Sequence, residues 1–216
     1  MALLKDEDRQ KLVEEFGQKL ASPVKLAFFT QNLDCMYCGP TEMILKELAP
    51  LSDKIALETW NFVNDKTQAE LYGIDKIPAV AVIGAKDHGV RFYGIPAGYE
   101  FASLVASIID VSRGETGLSQ ESKDVLLSLS KPVNIQVFVT PTCPYCQSMV
   151  RLAHQAAVES DLVTAHMVES TEFPHLAQRY GVMGVPKTVI NETASLDGAV
   201  PEHVFMHHLQ EAGKQL

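Results

Sequence analysis

The sequence has few basic residues, no long apolar run and no cysteine outside a C-x-x-C motif, and each shortage excludes a class of protein. Lys and Arg number 18 against 27 Asp and Glu, for a formal net charge of −9, whereas nucleic-acid binding requires clustered basic side chains. No stretch approaches the roughly 18 apolar residues of a membrane span. The N-terminus is acidic from Asp6 onward, unlike a secretory signal. We therefore expect a cytoplasmic protein that binds neither nucleic acid nor membrane.

The four cysteines form two C-x-x-C motifs, CMYC at residues 35–38 and CPYC at residues 143–146. Structural disulfides are rare in the cytosol, so paired cysteines there indicate metal or redox chemistry. A four-cysteine zinc site is the metal alternative, but zinc ribbons place their pairs about 15–20 residues apart, and these motifs lie 108 residues apart. We predict two redox pairs, Cys35/Cys38 and Cys143/Cys146, and no metal.

An internal repeat organises the chain. A shift of 108 residues superimposes the two motifs, and without a gap it also superimposes Tyr72-Gly73 on Tyr180-Gly181 and Ile77-Pro78 on Val185-Pro186. Several matches in one register indicate a duplicated unit. A polar stretch at residues 112–117 separates the halves, so we predict two domains, residues 1–115 with CMYC and residues 116–216 with CPYC.

Each half has the same predicted order of elements: strand, helix, strand, helix, strand, strand, helix. Short apolar and β-branched runs, such as residues 24–29 and 133–139, are typical of buried strands, and each leads into a C-x-x-C and a helical stretch. A right-handed crossover between the first two strands gives a mixed sheet with helices on its faces. The fold class is therefore α/β, with an additional amphipathic helix at residues 7–21.

A C-x-x-C at a helix N-terminus has the properties of a redox site. The reactive species is the thiolate, and unpaired backbone N–H groups together with the helix dipole stabilise that anion. We assign Cys143 as the attacking thiolate and Cys146 as the resolving thiol, with Cys35 and Cys38 in the corresponding roles. In the second motif, Pro144 suits a helix start, and Tyr145 adds an aromatic surface.

With its two C-x-x-C motifs, two prolines, CPYC in the second half and residues 94–101 (GIPAGYEF), the whole chain resembles the glutaredoxin-like protein disulfide oxidoreductases of thermophilic prokaryotes. The resemblance implies two thioredoxin-like units in tandem, with their sheets joined at the centre of a pseudo-symmetric molecule. It implies that Ile77-Pro78 and Val185-Pro186 are cis and that the residue before each proline binds substrate backbone. It also implies a cytosolic enzyme with no bound cofactor, supplied with electrons by an NADPH-dependent flavoprotein reductase of the thioredoxin-reductase type.

The chain departs from thioredoxin in the position of its acidic groups. Thioredoxin has a buried Asp six residues before its first active-site cysteine, where this sequence has Phe29 and Val137. We therefore consider Glu58 and Glu169, on the predicted second strands, as replacement proton-relay groups. Asp34 adjoins Cys35, and its negative charge favours the neutral thiol, so we expect the second site to be the more reactive.

The predicted function is dithiol–disulfide exchange on protein or peptide substrates: formation, reduction or isomerisation of disulfides through mixed disulfides. Two alternatives stay open. One is a dithiol electron relay to a peroxidase, which uses the same chemistry. The other is a chaperone-like peptide-binding protein whose cysteines are idle.

Overall fold

The computed structural model describes residues 4–214, in which two successive units repeat one order of elements. The first unit contains α1 (Asp6–Lys19), β1 (Val24–Thr30), α2 (Cys38–Leu48), β2 (Ile55–Asn61), α3 (Lys66–Leu71), β3 (Ala79–Ile83), β4 (Asp87–Tyr93) and α4 (Tyr99–Arg113). The second contains α5 (Gln120–Leu127), β5 (Val133–Val139), α6 (Cys146–Glu159), β6 (Val163–Glu169), α7 (Pro174–Arg179), β7 (Lys187–Ile190), β8 (Ala194–Asp197) and α8 (Glu202–Lys214). A 3₁₀ turn (Ala49–Leu51) follows α2. The predicted α/β repeat is confirmed.

The eight strands form one mixed sheet with the order β2-β1-β3-β4-β6-β5-β7-β8. In each unit the first strand pairs parallel with the second and antiparallel with the third. The units join where β4 runs parallel to β6, with Arg91 opposite His166. The expected central join is therefore confirmed. Because the last strand of one unit pairs with the second strand of the other, the units are related by a translation along the sheet.

This translation brings both redox motifs to one side of the molecule. Strands β1, β4, β6 and β5 all run in the same direction, and we call the edge at which they end the carboxyl edge. Both C-x-x-C motifs follow strands that end there. Strands β1 and β5 are four positions apart in the sheet, which is about 19 Å at the usual strand spacing.

The core has two layers because side chains alternate across the strands. Leu26 and Phe28 belong to the cluster beneath α2, α4, α6 and α8, whereas Ala27 and Phe29 belong to the cluster beneath α3 and α7. Each fully buried Leu or Phe stabilises the fold by about 1.5–3 kcal/mol. Helices α4 and α6 pack together beneath the central join, where Ser107 Oγ lies 2.8 Å from His154 Nδ1. The join thus includes helix packing as well as strand pairing.

Candidate active sites

The second redox pair lies between β5 and α6. Cys143 precedes the helix by one turn, and Cys146 is its first residue. The two are joined as a disulfide with their Cα atoms 5.5 Å apart. Cys143 is 9% exposed and Cys146 is fully buried. Because an attacking sulfur must reach the substrate, this difference in exposure agrees with Cys143 as the attacking residue and Cys146 as the resolving one.

The loop before β7 faces this pair. The Val185–Pro186 bond is cis, as the sequence predicts, and Cys143 Sγ lies 3.7 Å from the carbonyl oxygen of Val185. In the reduced protein the Cys143 thiol can donate a weak hydrogen bond to this oxygen. The backbone that is expected to bind substrate is therefore in contact with the sulfur that is expected to attack it.

The rim of the second site is apolar and accessible. Tyr145 is 69% exposed and Met183, two residues before Val185, is 97% exposed, while Pro144 is also exposed. Exposed apolar side chains grouped around a reactive centre are typical of a surface that contacts a partner. The rim therefore presents an accessible apolar surface beside Cys143.

The first redox pair has a different environment. Cys38 is the first residue of α2 and is buried, whereas Cys35 is half-buried; their Cα atoms are 5.4 Å apart in the disulfide. Asp34 has a φ of 55°, a left-handed conformation that Asp tolerates better than most residues. The Ile77–Pro78 bond is cis, as predicted.

A cleft of about 370 Å³ opens at the first pair, and both units contribute to it. The first unit supplies the CMYC motif and the cis-proline loop, and the second supplies the segment that follows β6. The lining residues are Asp34, Cys35, Met36, Tyr37, Ile77, Pro78, Thr171, Glu172 and Pro174. The Cys35–Cys38 pair is therefore an inter-unit site.

The structure places the two predicted relay glutamates differently. Glu58 lies opposite Ala27, in the middle of the β1–β2 pair rather than at the carboxyl edge, and forms an ion pair of 3.3 Å with Lys25. Glu169 is buried at the end of β6, where its Oε2 accepts hydrogen bonds from Thr171 Oγ1 and the Glu172 amide. Glu169 thus lies at the carboxyl edge between the two sites, and Glu58 does not. Their proton-transfer roles stay predictions.

Glu100 is a candidate that the sequence reasoning missed. It is fully buried in the first turn of α4, and burial raises its pKa to about 7, although a hydrogen bond from Ser103 opposes the shift. The preceding amide, of Tyr99, donates to the Pro141 carbonyl at 3.0 Å, two residues before Cys143. A signal existed in the sequence, because Glu100 shares the apolar stripe of α4 at helical spacing.

Glu172 is the second missed candidate. Its Oε1 accepts a 2.6 Å hydrogen bond from the Ile95 amide of the first unit, and its Oε2 is buried without a hydrogen-bond partner among the described residues. Burial, with the charge of Glu169, raises its pKa to about 7 against the effect of the Ile95 hydrogen bond. Its importance depends on contact between the units, which no local sequence pattern indicates.

Residues 4–214 contain neither a metal-ligand cluster nor a membrane-spanning helix. Among residues 4–214, no three His, Cys, Asp or Glu side chains are grouped as a metal site would require. Within the same residues, no helix has both the length and the apolar composition needed to cross a bilayer.

Solved structures of similar overall fold cover nearly the whole chain. A protein disulfide oxidoreductase from Aeropyrum pernix is 30% identical with a TM-score of 0.90, over 97% of this chain and 94% of that one. The N-terminal domain of the alkylhydroperoxide reductase AhpF from Enterococcus faecalis is also 30% identical, with a TM-score of 0.88, over 95% of this chain and 99% of that one. A family model for the thioredoxin domain matches residues 133–211.

Curated relatives are longer proteins. A Bacillus subtilis protein named NADH dehydrogenase is 28% identical over 150 residues, 68% of this chain and 27% of its own length. A Ferdinandcohnia aciditolerans protein of the same name is 23% identical over 156 residues, 72% of this chain and 28% of its own length. The chain thus spans little more than a quarter of the length of these relatives.

Proposed function

The chain belongs to the family of protein disulfide oxidoreductases with two thioredoxin folds in tandem and is a thiol–disulfide oxidoreductase, and from this premise we propose that Cys143 and Cys146 form its principal exchange site. The observation that carries this proposal is the 3.7 Å contact between Cys143 Sγ and the carbonyl of Val185 before the cis-proline. It supports a substrate held by the loop backbone while its sulfur faces Cys143.

The order in which the two sulfurs of this site react follows from their exposure. In reduction, the Cys143 thiolate attacks a substrate disulfide and forms a mixed disulfide, and one substrate thiolate leaves. Cys146, buried behind Cys143, then attacks the Cys143 sulfur and releases the second substrate thiol. The reverse sequence oxidises a substrate dithiol. Val185 and the exposed Tyr145 and Met183 hold the polypeptide on either side of the reacting sulfurs.

We propose Glu100 as the group that exchanges protons with this pair. Its pKa of about 7 lets it accept a proton from a thiol and return it near neutral pH. Ser103, its hydrogen-bond donor, lines a surface cleft together with Gln147 and Ser148, the two residues after Cys146. Glu169, buried at the end of β6, is the alternative proton group at the same edge of the sheet.

We propose that residues 1–115 and 116–216 act as two exchange units, and that a flavoprotein reductase that uses NADPH supplies electrons to them in the cytoplasm. The Cys35 cleft, which both units line, is the proposed entry point. A relay to a peroxidase is a second candidate function, favoured by the 30% identity with the N-terminal domain of AhpF.

Insulin reduction by dithiothreitol tests the proposal on three proteins: wild type, Cys35→Ser/Cys38→Ser and Cys143→Ser/Cys146→Ser. We expect the Cys143→Ser/Cys146→Ser protein to lose most activity and the Cys35→Ser/Cys38→Ser protein to retain most of it. Titration of each remaining pair against glutathione gives its reduction potential, which separates an oxidant from a reductant.

Two outcomes would oppose the proposal. If neither double variant loses activity, the cysteines are not the exchange groups, and the binding of unfolded polypeptide without redox chemistry becomes the better description. If only the Cys35→Ser/Cys38→Ser protein loses activity, the first pair is the principal site. Peroxide consumption with a peroxidase and a flavoprotein reductase added in turn separates the relay from protein disulfide exchange.

A further inference from the structure

We infer that Glu172, a residue of the second unit, is the proton-exchange group of the Cys35–Cys38 site in the first unit. The inference deepens the proposed function and rests on the exchange activity proposed for this chain. It assigns to the first redox pair an acid–base partner that reaches it across the central join of the sheet.

The cleft at the first pair brings the acid and the sulfur into one space. Glu172 and Cys35 line the same 370 Å³ cleft, together with Pro78 of the cis-proline loop. This space gives a substrate disulfide a route to Cys35, because Cys35 lines the cleft whereas Cys38 is 2% exposed. Glu172 is therefore positioned beside the place where thiolates form and leave.

The position of the Glu172 carboxyl is fixed by the first unit. Its Oε1 accepts the 2.6 Å hydrogen bond from the Ile95 amide. Gly94, at φ 92°, makes room for it, since a Cβ atom at that position would lie 2.9 Å from Glu172 Oε1 and 2.5 Å from Glu169 Cβ. The second oxygen, Oε2, has no hydrogen-bond partner among the described residues and is buried. The first unit thus holds Oε1, and Oε2 is the oxygen that we assign to proton exchange.

Among residues 4–214, the charged and titratable groups named around Glu172 come from two elements. Glu169 at the end of β6 is acidic, and the CMYC loop contributes Asp34 and Tyr37 to the cleft. The segment after β4 contributes an uncharged donor, the Ile95 amide. Acidic neighbours and burial both favour the neutral carboxyl. A carboxyl with a pKa of about 7 can both accept and donate a proton under the conditions of thiol exchange.

Reduction of a substrate disulfide at the first pair takes two exchange steps. The Cys35 thiol gives its proton to the Glu172 carboxylate, and the Cys35 thiolate attacks one sulfur of a substrate disulfide. A Cys35–substrate bond forms, the substrate S–S bond breaks, and Glu172 returns the proton to the departing thiolate. The Cys38 thiol then closes the Cys35–Cys38 disulfide, and its proton goes to the second substrate thiolate. Two electrons pass to the substrate, which becomes two thiols.

The internal repeat offers a comparison within the chain. The shift of 108 residues matches Glu172 with Asn64, an exposed residue between β2 and α3. Strand β2 is at the end of the sheet, so Asn64 faces no redox pair of another unit. In the second unit this position borders a cleft with a cysteine and is an acid, Glu172. In the first unit it does not border such a cleft and is a neutral amide, Asn64.

The test uses the full chain with Cys143→Ser/Cys146→Ser, so that only the first pair reacts. The rate of Cys35 alkylation by iodoacetamide is measured across pH in the reduced protein, with and without Glu172→Gln, and with Glu70→Gln as an exposed control. We expect Glu172→Gln to raise the alkylation rate at pH 7 roughly threefold to tenfold, because a neutral amide no longer opposes the thiolate. We expect its reduction of a substrate disulfide to fall at least about threefold, because the proton donor is lost.

These opposite changes distinguish proton exchange from a structural role, which would lower both rates or neither. An unchanged alkylation profile, or an increase in both rates, overturns the inference. If the first pair fails to reduce substrate, the proposed activity of that pair is contradicted. Because alkylation does not depend on turnover, the comparison of alkylation rates still decides the role of Glu172. The protein with Glu172 intact provides a test that needs no glutamate variant. Its pH profile of Cys35 alkylation must contain an ionisation near pH 7 in addition to that of the Cys35 thiol.

Discussion

At the scale of single residues, the fold holds two acids near the redox sites, Glu100 and Glu172, out of water. Glu100 is fully buried and has one oxygen without a hydrogen-bond partner among residues 4–214. Burial of a carboxylate without a cation is unfavourable, and the group responds by taking up a proton. The same burial that moves the pKa to about 7 therefore makes the acid suitable for thiol exchange and lowers the stability of the protein at high pH.

The stability of the wild type is expected to fall as pH rises through the range in which Glu100 titrates. The pKa of Glu100 is about 7 in the folded protein against an ordinary value of 4.5, so between these values the folded state binds more protons than the unfolded state. Stability then decreases with pH, by roughly 3 kcal/mol in total for this group. Relative to wild type, Glu100→Gln should therefore gain stability between pH 5 and pH 8, as urea unfolding at each pH will measure.

Glu70→Gln provides the control for this comparison, because Glu70 is exposed on α3 and its replacement should give the same difference from wild type at both pH values. A Glu100→Gln protein whose stability relative to wild type does not change with pH would contradict the assignment of a raised pKa to Glu100. Insulin reduction by Glu100→Gln tests the functional role of Glu100. Without the proton acceptor, the increase in activity with pH around pH 7 should be smaller than in the wild type.

At the scale of elements, local sequence signals are sufficient to predict the strands that precede the two redox motifs. The run at residues 133–139 corresponds residue for residue to β5, and the run at residues 24–29 ends one residue before β1 does. The register between the repeats was harder to predict. A shift of 108 matches the cysteines, the prolines, and Ala79 with Lys187. Phe29 lies opposite Ala79 and Phe138 lies opposite Lys187, so the strand register matches Phe29 with Phe138, which is a shift of 109. The loop before CMYC therefore contains an additional residue.

The start of α4 connects the first unit to the second redox site through one glycine. Gly98 precedes α4 with φ 60° and ψ −128°, a conformation that is essentially restricted to glycine. A Cβ atom there would lie 2.1 Å from the Pro141 carbonyl oxygen, a backbone atom that cannot rotate away. We expect Gly98→Ala to destabilise the protein by roughly 3 kcal/mol or more and to displace the CPYC loop. Alkylation of reduced Cys143 should change, whereas alkylation of Cys35 should not.

Gly114→Ala is the matched control, since Gly114 follows the same helix at φ 67° and an added Cβ there would meet no atom within 4 Å. The stability lost in Gly114→Ala should be limited to the cost of the left-handed backbone, about 1–2 kcal/mol. The alkylation of Cys143 and of Cys35 should not change. Equal destabilisation by the two substitutions would show that backbone conformation alone, rather than contact with Pro141, determines the importance of Gly98.

At the scale of the whole molecule, the sequence predicts the repeat and the family resemblance implies the central join, but neither predicts the contacts that form between the units. The repeat is visible because the cysteines and prolines recur at fixed spacing, and the join followed from a family resemblance. The pairing of β4 with β6, and with it the positions of Glu100 and Glu172, depends on contacts between residues far apart in the chain. Periodicity and motif spacing carry no information on such contacts, so the sequence suggests relay acids only on the second strand of each half.

The translation of the units also separates the two redox pairs. With β1 and β5 four strands apart, the pairs lie about 19 Å from each other, whereas a disulfide requires Cα atoms within about 7 Å. In the variant Cys38→Ser/Cys146→Ser, which retains Cys35 and Cys143, oxidation should therefore produce disulfide-linked dimers and no internal Cys35–Cys143 bond. Nonreducing electrophoresis and peptide mass spectrometry will measure both products at several protein concentrations.

The Cys143→Ser/Cys146→Ser protein is the control for that experiment, because its Cys35–Cys38 pair should close within one chain at every concentration. A monomeric Cys35–Cys143 disulfide formed at low protein concentration would show that the units move apart at the β4–β6 pairing and close again with the sites in contact. If no such product forms, electrons pass between the two sites only through a substrate or a reductase. Each pair then reacts as an independent centre on a shared edge of the sheet, and the activity of the wild type should equal the sum of the separate activities of the two double variants.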